Sequence, residues 1–365
     1  MNALAFAHAA WADLVACTTL YAMWRVRAPA MGGDAPALRV LLVRPCADQH
    51  AALAAALAST PPNVETVFAL RDERDEAAPM ALSVARQLPN ARVVFTHASA
   101  PNRKAAQLAA ATASRSFDVL VVADDDVAFD PDTLARLLAP LGDPRVAASW
   151  AAPVEIAPRT FGDRASAAVL CGSLHSFSIL AALDATVFVG KLFAVRASAL
   201  GEAGGFASLS DYLGEDTELA RRLRARGHRV VRADVAARSL ACDRSLGDVI
   251  ARYARWIAVM RAQRPALVCA YPMLIAATPS IALAGLARHD AIALFFAAFA
   301  LVTRFVLARS RRGSLAFALV ADVVLLAAFV RALASRRVVW RGVPLRLEGE
   351  RARDDREDRL RDAHP

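Results

Sequence analysis

Three consecutive carboxylates, Asp124, Asp125 and Asp126, follow the apolar run Val119 to Ala123 without a spacer. Asp124 and Asp126 have one residue between them, so a turn can aim both at one cation. Hard cations such as Mg²⁺ take oxygen ligands and are commonly held by one or two carboxylates together with substrate phosphates. This spacing can therefore build a metal–diphosphate site, and a solvated acidic turn is the alternative. A second acidic pair, Glu215-Asp216, opens a helical run. It serves either in capping and dipole compensation or, through one of its members, as a general base that takes a hydroxyl proton. Arg252 and Arg255 lie three apart on one helix face beside Trp256, which suits diphosphate oxygens. Asp72 stands just past another apolar run, where a turn residue is the alternative reading. Of the 44 basic residues only Lys104 and Lys191 are lysines, and these mark positions that would need a compact point charge.

The elements that must position these groups alternate. Strand patterns at Leu38 to Val43, Val64 to Leu70, Arg92 to Thr96 and Val119 to Ala123 are separated by helical patterns at Ala51 to Ala58, Ala77 to Leu88 and Pro101 to Arg115. The apolar run before Asp124 reads as a strand buried on both faces. This alternation predicts a parallel, doubly wound α/β sheet with its acids at the carboxyl edge, where such sheets bind ligands. Arg44-Pro45-Cys46-Ala47-Asp48 after the first strand is neither GxGxxG nor a P-loop, which disfavours dinucleotide oxidoreductases and P-loop kinases. A helix over Thr133 to Leu141, a strand near Val146 to Ala151 and a long apolar helical stretch over Arg164 to Leu183 follow. His175 in that stretch reads as a core or surface histidine rather than a catalytic one. Val187 to Arg196 is a strand in which Gly190 gives backbone access beside Lys191, and Ala203 to Phe206 is a tight turn.

Composition sets the surroundings. The 365 residues are 56% hydrophobic with a formal charge of +9, and mean hydropathy is +0.34. The apolar excess lies near the start and in Ala266 to Ala334, which predicts a globular domain carried on membrane segments. Residues 3 to 24 have about membrane length, and Arg25 and Arg27 follow them. The positive-inside rule then puts the N-terminus outside and the next domain in the cytoplasm. Ala266 to Leu286, Ile292 to Leu307 and Leu315 to Val330 are three further apolar segments. If all span, the Arg-rich tail lies outside, so one is expected to be in-plane or re-entrant. Charge placement points to the last segment, and Pro272 and Pro279 point to the first. The tail Leu347 to Pro365, dense in both charges, reads as a frayed or disordered helix. The basic residues form no stripe with interleaved aromatics, which argues against nucleic acid. Five scattered cysteines give neither a zinc site nor a disulfide framework.

The ordered set Asp72, Asp124-Asp125-Asp126, Glu215-Asp216 and Arg252-Tyr-Ala-Arg255-Trp256 resembles the GT-A glycosyltransferases of the type-2 superfamily. Within it the chain looks most like the ceramide glucosyltransferase family and its bacterial relative, the hopanoid-biosynthesis-associated glycosyltransferase. The Asn102-Arg-Lys104, Gly190-Lys191 and Ala203-Gly-Gly205 segments also resemble that subfamily, and the likeness covers about residues 2 to 345. It implies a Rossmann-like, mostly parallel cytosolic domain with an N-terminal transmembrane helix and a C-terminal helical membrane region. The expected divisions are residues 1–27 (transmembrane helix), 28–37 (linker), 38–264 (GT-A domain), 265–334 (membrane helices) and 335–365 (charged cytosolic tail). The resemblance implies a multi-pass protein of a bacterial inner membrane. It further implies Asp216 as the base and Asp72 at the uracil or ribose of a UDP-sugar. Asn102, Lys104, Asp124, Lys191, Arg252, Arg255 and Trp256 would be donor contacts, and Asp124 and Asp126 would hold Mg²⁺ or Mn²⁺. The acceptor would be a membrane lipid alcohol. A hopanoid receiving N-acetylglucosamine is the first expectation, ceramide glucosylation the second, and a non-catalytic membrane scaffold the alternative of another class. The pattern departs at Asp125, where many relatives carry a smaller residue.

Overall fold

The computed structural model describes residues 3–26, 38–310, 317–334, 337–340, 343–348 and 351–354. The expected linker 28–37, Arg311, Arg312 and residues 355–365 lie outside them. Two compact units form: a helical unit (Met1–Ala28, Pro158–Ala185, Asp243–Arg336) and a sheet unit (Pro29–Ala157, Thr186–Cys242, Arg337–Pro365). The chain opens in the helical unit with α1 (Ala3–Val26) and passes to the sheet unit through β1 (Val40–Pro45), α2 (Leu53–Ala58), β2 (Glu65–Leu70), α3 (Ala78–Ala85), β3 (Ala91–Phe95), α4 (Arg103–Thr112) and β4 (Val119–Ala123). Next come the short β5 (Val127–Ala128), α5 (Thr133–Leu138) and β6 (Val146–Ile156). It returns to the helical unit for α6 (Phe161–Gly172) and α7 (Phe177–Leu183), then completes the sheet unit with β7 (Leu192–Arg196), α8 (Ala197–Glu202), α9 (Glu215–Ala225) and β8 (Arg229–Leu240).

Among the described residues these strands make one eight-stranded sheet in the order β3-β2-β1-β4-β7-β6-β8-β5. The β3-β2-β1-β4 half is parallel, as the alternation predicts. The second half is mixed: β7 runs antiparallel to both β4 and β6, whereas β6 and β8 are parallel. The reversal follows from connectivity, because the long excursion through α6 and α7 brings β7 back beside β4 without a simple crossover helix. Strand β4 is buried at every position and its side chains enter the main core with Leu42, Leu192, Ala194 and Ala237. A smaller core of Leu53, Leu57, Phe68, Leu70 and Ala81 lies under α2 and α3. An apolar strand buried on both faces leaves its polar residues only at its end, which is where the three aspartates stand.

In the helical unit, α10 (Leu246–Gln263), α11 (Pro265–Arg288), α12 (Ala291–Ser310) and α13 (Ala318–Ala334) pack with α1, α6 and α7. Helix α10 starts at a capping box between Ser245 and Asp248. The stretch expected as one helix over Arg164 to Leu183 is broken between Gly172 and Phe177, where Ser173 and Ser176 turn the chain. Among the described residues, Ala3–Tyr21, Phe161–Ala182 and Pro265–Arg288 are long and apolar enough to cross a membrane. Within residues 38–264, α6, α7 and α10 cluster with the apolar helices: α6 packs on α12 and α13, α10 on α11 and α13, and α7 on α1. β9 (Arg337–Trp340), β10 (Val343–Glu348) and β11 (Arg351–Asp354) form an antiparallel three-stranded sheet, so the described residues of the expected frayed helix, 347–348 and 351–354, are strand.

Candidate active site

The three aspartates turn to different partners. The Asp124 N–H donates to the Lys191 carbonyl (2.9 Å), closing the end of the β4–β7 ladder. The Lys104 ammonium donates to Asp124 Oδ1 (2.6 Å), while Oδ2 lies 3.6 Å from the Lys191 ammonium. Asp126 is 4% exposed. Both its oxygens take the Lys191 ammonium, and Ser239 Oγ donates to Oδ2 at 2.7 Å. Asp125 turns to the segment after β1, accepting the Ala47 N–H (3.1 Å) and facing His50 Nε2 at 3.6 Å. Burial opposes charge on that histidine, but Asp125 and Cys242 outweigh it and raise its pKa to about 10.

Beneath the turn lies a residue that sequence reasoning missed. Arg44 is fully buried and donates to the carbonyls of Asp124 (3.0 Å) and Val127, and to Ala56 O (2.6 Å) and Thr60 Oγ1 (2.9 Å). It supports the acidic turn from below with charge-assisted bonds. An arginine inside the apolar run Val40–Pro45 was the available signal.

The second acidic pair joins the first through Lys104. Asn102 caps α4 by accepting the Ala105 N–H (3.0 Å), and its amide donates to the Tyr212 carbonyl (2.6 Å) and Glu215 Oε2 (2.8 Å). Lys104 also donates to the Gly190 carbonyl (2.8 Å) and lies 3.7 Å from Glu215 Oε1. The same glycine donates its N–H to Asp216 Oδ2 (2.6 Å), and Asp216 Oδ1 takes the Thr217 N–H (2.7 Å). A Cβ on Gly190 would meet the Asp216 Cβ and Oδ2 at 2.9 Å, so only glycine allows this approach. Burial pushes Glu215 up to about 7; Lys104 and Asn102 oppose the shift and Asp216 adds to it. Burial likewise raises Asp216 against the pull of Lys104 and of the Thr217 and Gly190 N–H groups. Burial disfavours the Lys104 ammonium, yet Asp124 and Glu215 more than compensate and raise its pKa. Asn102, Lys104 and Lys191, expected as donor contacts, thus bond to the protein's own carboxylates and carbonyls.

Asp72 follows β2, separated from β4 by β1. Its Oδ1 accepts the Arg74 N–H (3.0 Å), and Oδ2 lies 3.4 Å from Arg71 Nε. Within the helical unit, α10 carries Arg252 and Trp256 one turn apart, the Arg252 guanidinium 4.9 Å from the Trp256 ring centre. Trp256 meets Tyr253 and Phe177 edge to face, and Arg255 is half-buried. His175 is a core residue, bonded to the Tyr271 hydroxyl.

A divalent cation finds an unequal pair here. Asp124 fits: 26% of its side chain is exposed, and one oxygen stands clear of a short ion pair. Asp126 does not, because both oxygens are taken and buried. Among the described residues no group of three His, Cys, Asp or Glu side chains converges on a cation position. In this arrangement Asp124 presents the exposed oxygen, while Asp126 is held by Lys191 and Ser239.

A mixed, mostly parallel sheet with its acids gathered at the end of a central buried strand is the GT-A nucleotide-sugar transferase architecture. Residues 6–352 match the model of Glycosyl transferase family 21, and the chain belongs to that family of glycosyltransferases. No curated protein matches it. Among solved structures it is similar to the mannosyltransferase PcManGT from Pyrobaculum calidifontis in complex with GDP-Man and Mn²⁺, at 20% identity and TM-score 0.47, covering 89% of this chain and 99% of that one. It is also similar to glucosyl-3-phosphoglycerate synthase from Mycobacterium tuberculosis in complex with Mn²⁺, UDP and phosphoglyceric acid, at 18% identity and TM-score 0.42, covering 62% and 78%.

Proposed function

We propose that this chain is a membrane-bound inverting glycosyltransferase that moves a sugar from a UDP-sugar to a membrane lipid alcohol, in the first instance N-acetylglucosamine to a hopanoid. The observation that carries the reading is Asp216: a half-buried carboxylate at the start of α9, with a raised pKa and both oxygens oriented by backbone N–H groups. Asp216 takes the proton of the acceptor hydroxyl as that oxygen bonds to the anomeric carbon. The bond from that carbon to the diphosphate oxygen breaks, and its electron pair leaves with UDP. A raised pKa suits a base, since proton transfer is most effective when donor and acceptor are matched near the working pH.

The other residues position and neutralise. Lys104 and Lys191 hold Asp124 and Asp126 at the strand end, and Asp124 offers its exposed oxygen toward the diphosphate. A divalent cation on Asp124, when bound, would offset charge on the departing UDP. Asp72, by its resemblance to the early motif aspartate, contacts the nucleoside. Arg252, Arg255 and Trp256 keep the diphosphate role that the resemblance gives them. Supporting a lipid acceptor are the helices of membrane length and the arginines that flank apolar segments.

The test is acceptor-dependent UDP release by the detergent-purified protein. UDP-N-acetylglucosamine with a hopanoid alcohol is compared with UDP-glucose and ceramide, for wild type and Asp216→Asn. Release with the first pair, reduced about a hundredfold or more in the variant, supports the reading. Release only with the second pair moves the assignment to ceramide glucosylation. Silence with every pair, despite measurable UDP binding, rejects it in favour of a scaffold.

A further inference from the structure

The C-terminal strands reach the loop that carries the acidic pair. Strands β9, β10 and β11 form a sheet of their own, with Glu348 opposite Arg351, and Leu345 of β10 is fully buried. From β11 the Arg351 guanidinium lies 5.8 Å from the centre of the Tyr212 ring, while the Arg222 guanidinium of α9 lies 5.5 Å from the same ring. Tyr212 and, more weakly, Asp211 raise the pKa of Arg351.

Tyr212 is well placed to transmit that contact. Its N–H donates to the Leu209 carbonyl (3.0 Å), and its own carbonyl accepts from Asn102 (2.6 Å). The same Asn102 amide holds Glu215 Oε2 (2.8 Å), and Glu215 stands next to Asp216 and 3.7 Å from Lys104. Arg351, Tyr212, Asn102, Glu215 and Lys104 are thus linked in series to Asp124, all within the sheet unit.

We propose that the C-terminal sheet braces the loop bearing the catalytic base, with Arg351 acting through Tyr212 as a positioning residue. This rests on the assignment of Asp216 as base. The brace is a cation held on an aromatic face beside the loop. Removing it lets Tyr212 and its carbonyl move, and Asn102 then loses its grip on Glu215.

The full-length protein in detergent tests this with Arg351→Ala, Arg351→Lys and Tyr212→Ala. Amide exchange over residues 209–217 needs no transfer chemistry, and Arg351→Ala is expected to reduce protection there while leaving UDP binding unchanged. In turnover, Arg351→Ala is expected to lower kcat about two- to fivefold with the donor KM nearly constant. Its acid limb should move to lower pH, because Glu215, without the Asn102 donor that favours its ionised form, presents less negative charge to Asp216. Arg351→Lys should restore most of the loss, and Arg351→Ala combined with Tyr212→Ala should be no worse than Tyr212→Ala alone. Unchanged exchange over 209–217, or a fall in kcat that only tracks the folded fraction with no shift of the limb, overturns the brace. A wild type that transfers no sugar yet shows the loosened loop in Arg351→Ala refutes the enzymatic reading and leaves the brace standing.

Discussion

Gly190 lacks a side chain because Asp216 occupies the space that one would fill. Gly190→Ala must push the aspartate away from its backbone donor, so kcat should fall about a hundredfold, as for loss of a general base, while UDP affinity changes little. Stopped turnover assays and UDP calorimetry separate the two, and a variant of wild-type rate would mean that Asp216 is not the base. The same cluster sets the pH dependence. Glu215 is pushed up to about 7 by burial, Asp216 is raised too, and the neighbours titrate as a pair. Activity needs the ionised base, so the acid limb of kcat should lie above the ordinary carboxylate range. Glu215→Gln removes a neighbouring negative charge and should shift that limb to lower pH; a limb that does not move would detach Glu215 from the base. Stability runs the other way. A carboxyl group with a folded pKa above its unfolded value of 4.5 favours the fold at low pH, and that contribution is lost as pH rises from 4.5 toward about 7. Melting temperatures across that range should therefore decline less in Glu215→Gln. At this scale the motif acids were legible because their types and order are unusual. Arg44, the turn of Asp125 toward the segment after β1 and the lysine pairings were not, since each depends on which strand lies beside β4.

The apolar helices show what patterning fixes and what it leaves open. The expected segments from Ala3, Ala266 and Ile292 are helices close to their predicted limits, because uninterrupted apolar runs have few alternatives. The break between α6 and α7 and the C-terminal strands escaped detection. Ser173 and Ser176 are weak breakers, and the alternating charges of β10 and β11 mimic a solvated helix. Asp322, which sequence alone left unexplained inside an apolar segment, is answered by Arg304 of α12. The guanidinium donates to both Asp322 oxygens at 2.6 and 2.9 Å, and both residues are buried. Breaking a buried pair from one side leaves an uncompensated charge and costs about 3–5 kcal/mol, whereas replacing both partners with apolar groups is often neutral. Asp322→Leu should therefore lower the melting temperature in detergent sharply, and Arg304→Met with Asp322→Leu should recover most of the loss. If the double variant melts as low as the single, the pair contributes something other than charge compensation.

At the scale of the whole molecule, sequence predicted a soluble α/β block between membrane segments. The structure keeps the α/β block but gives α6, α7 and α10 to the helical unit. That reassignment was not readable from sequence, because an apolar helix looks alike whether it packs on a sheet or on other helices. Orientation, by contrast, is a matter of where arginines stand relative to apolar helices. Arg25 and Arg27 flank the end of α1, Arg309, Arg311 and Arg312 flank the end of α12, and Arg336 and Arg337 follow α13. Positive residues near span ends are retained on the cytoplasmic side, which predicts the C-terminal tail and the sheet unit there and the N-terminus outside. A tail on the cytoplasmic side requires an even number of crossings after the sheet unit, hence one of α11, α12 and α13 that does not cross. Fusion of a fluorescent protein to the C-terminus should glow, and alkaline phosphatase fused at the same point should be inactive. The opposite pair of results would overturn this topology.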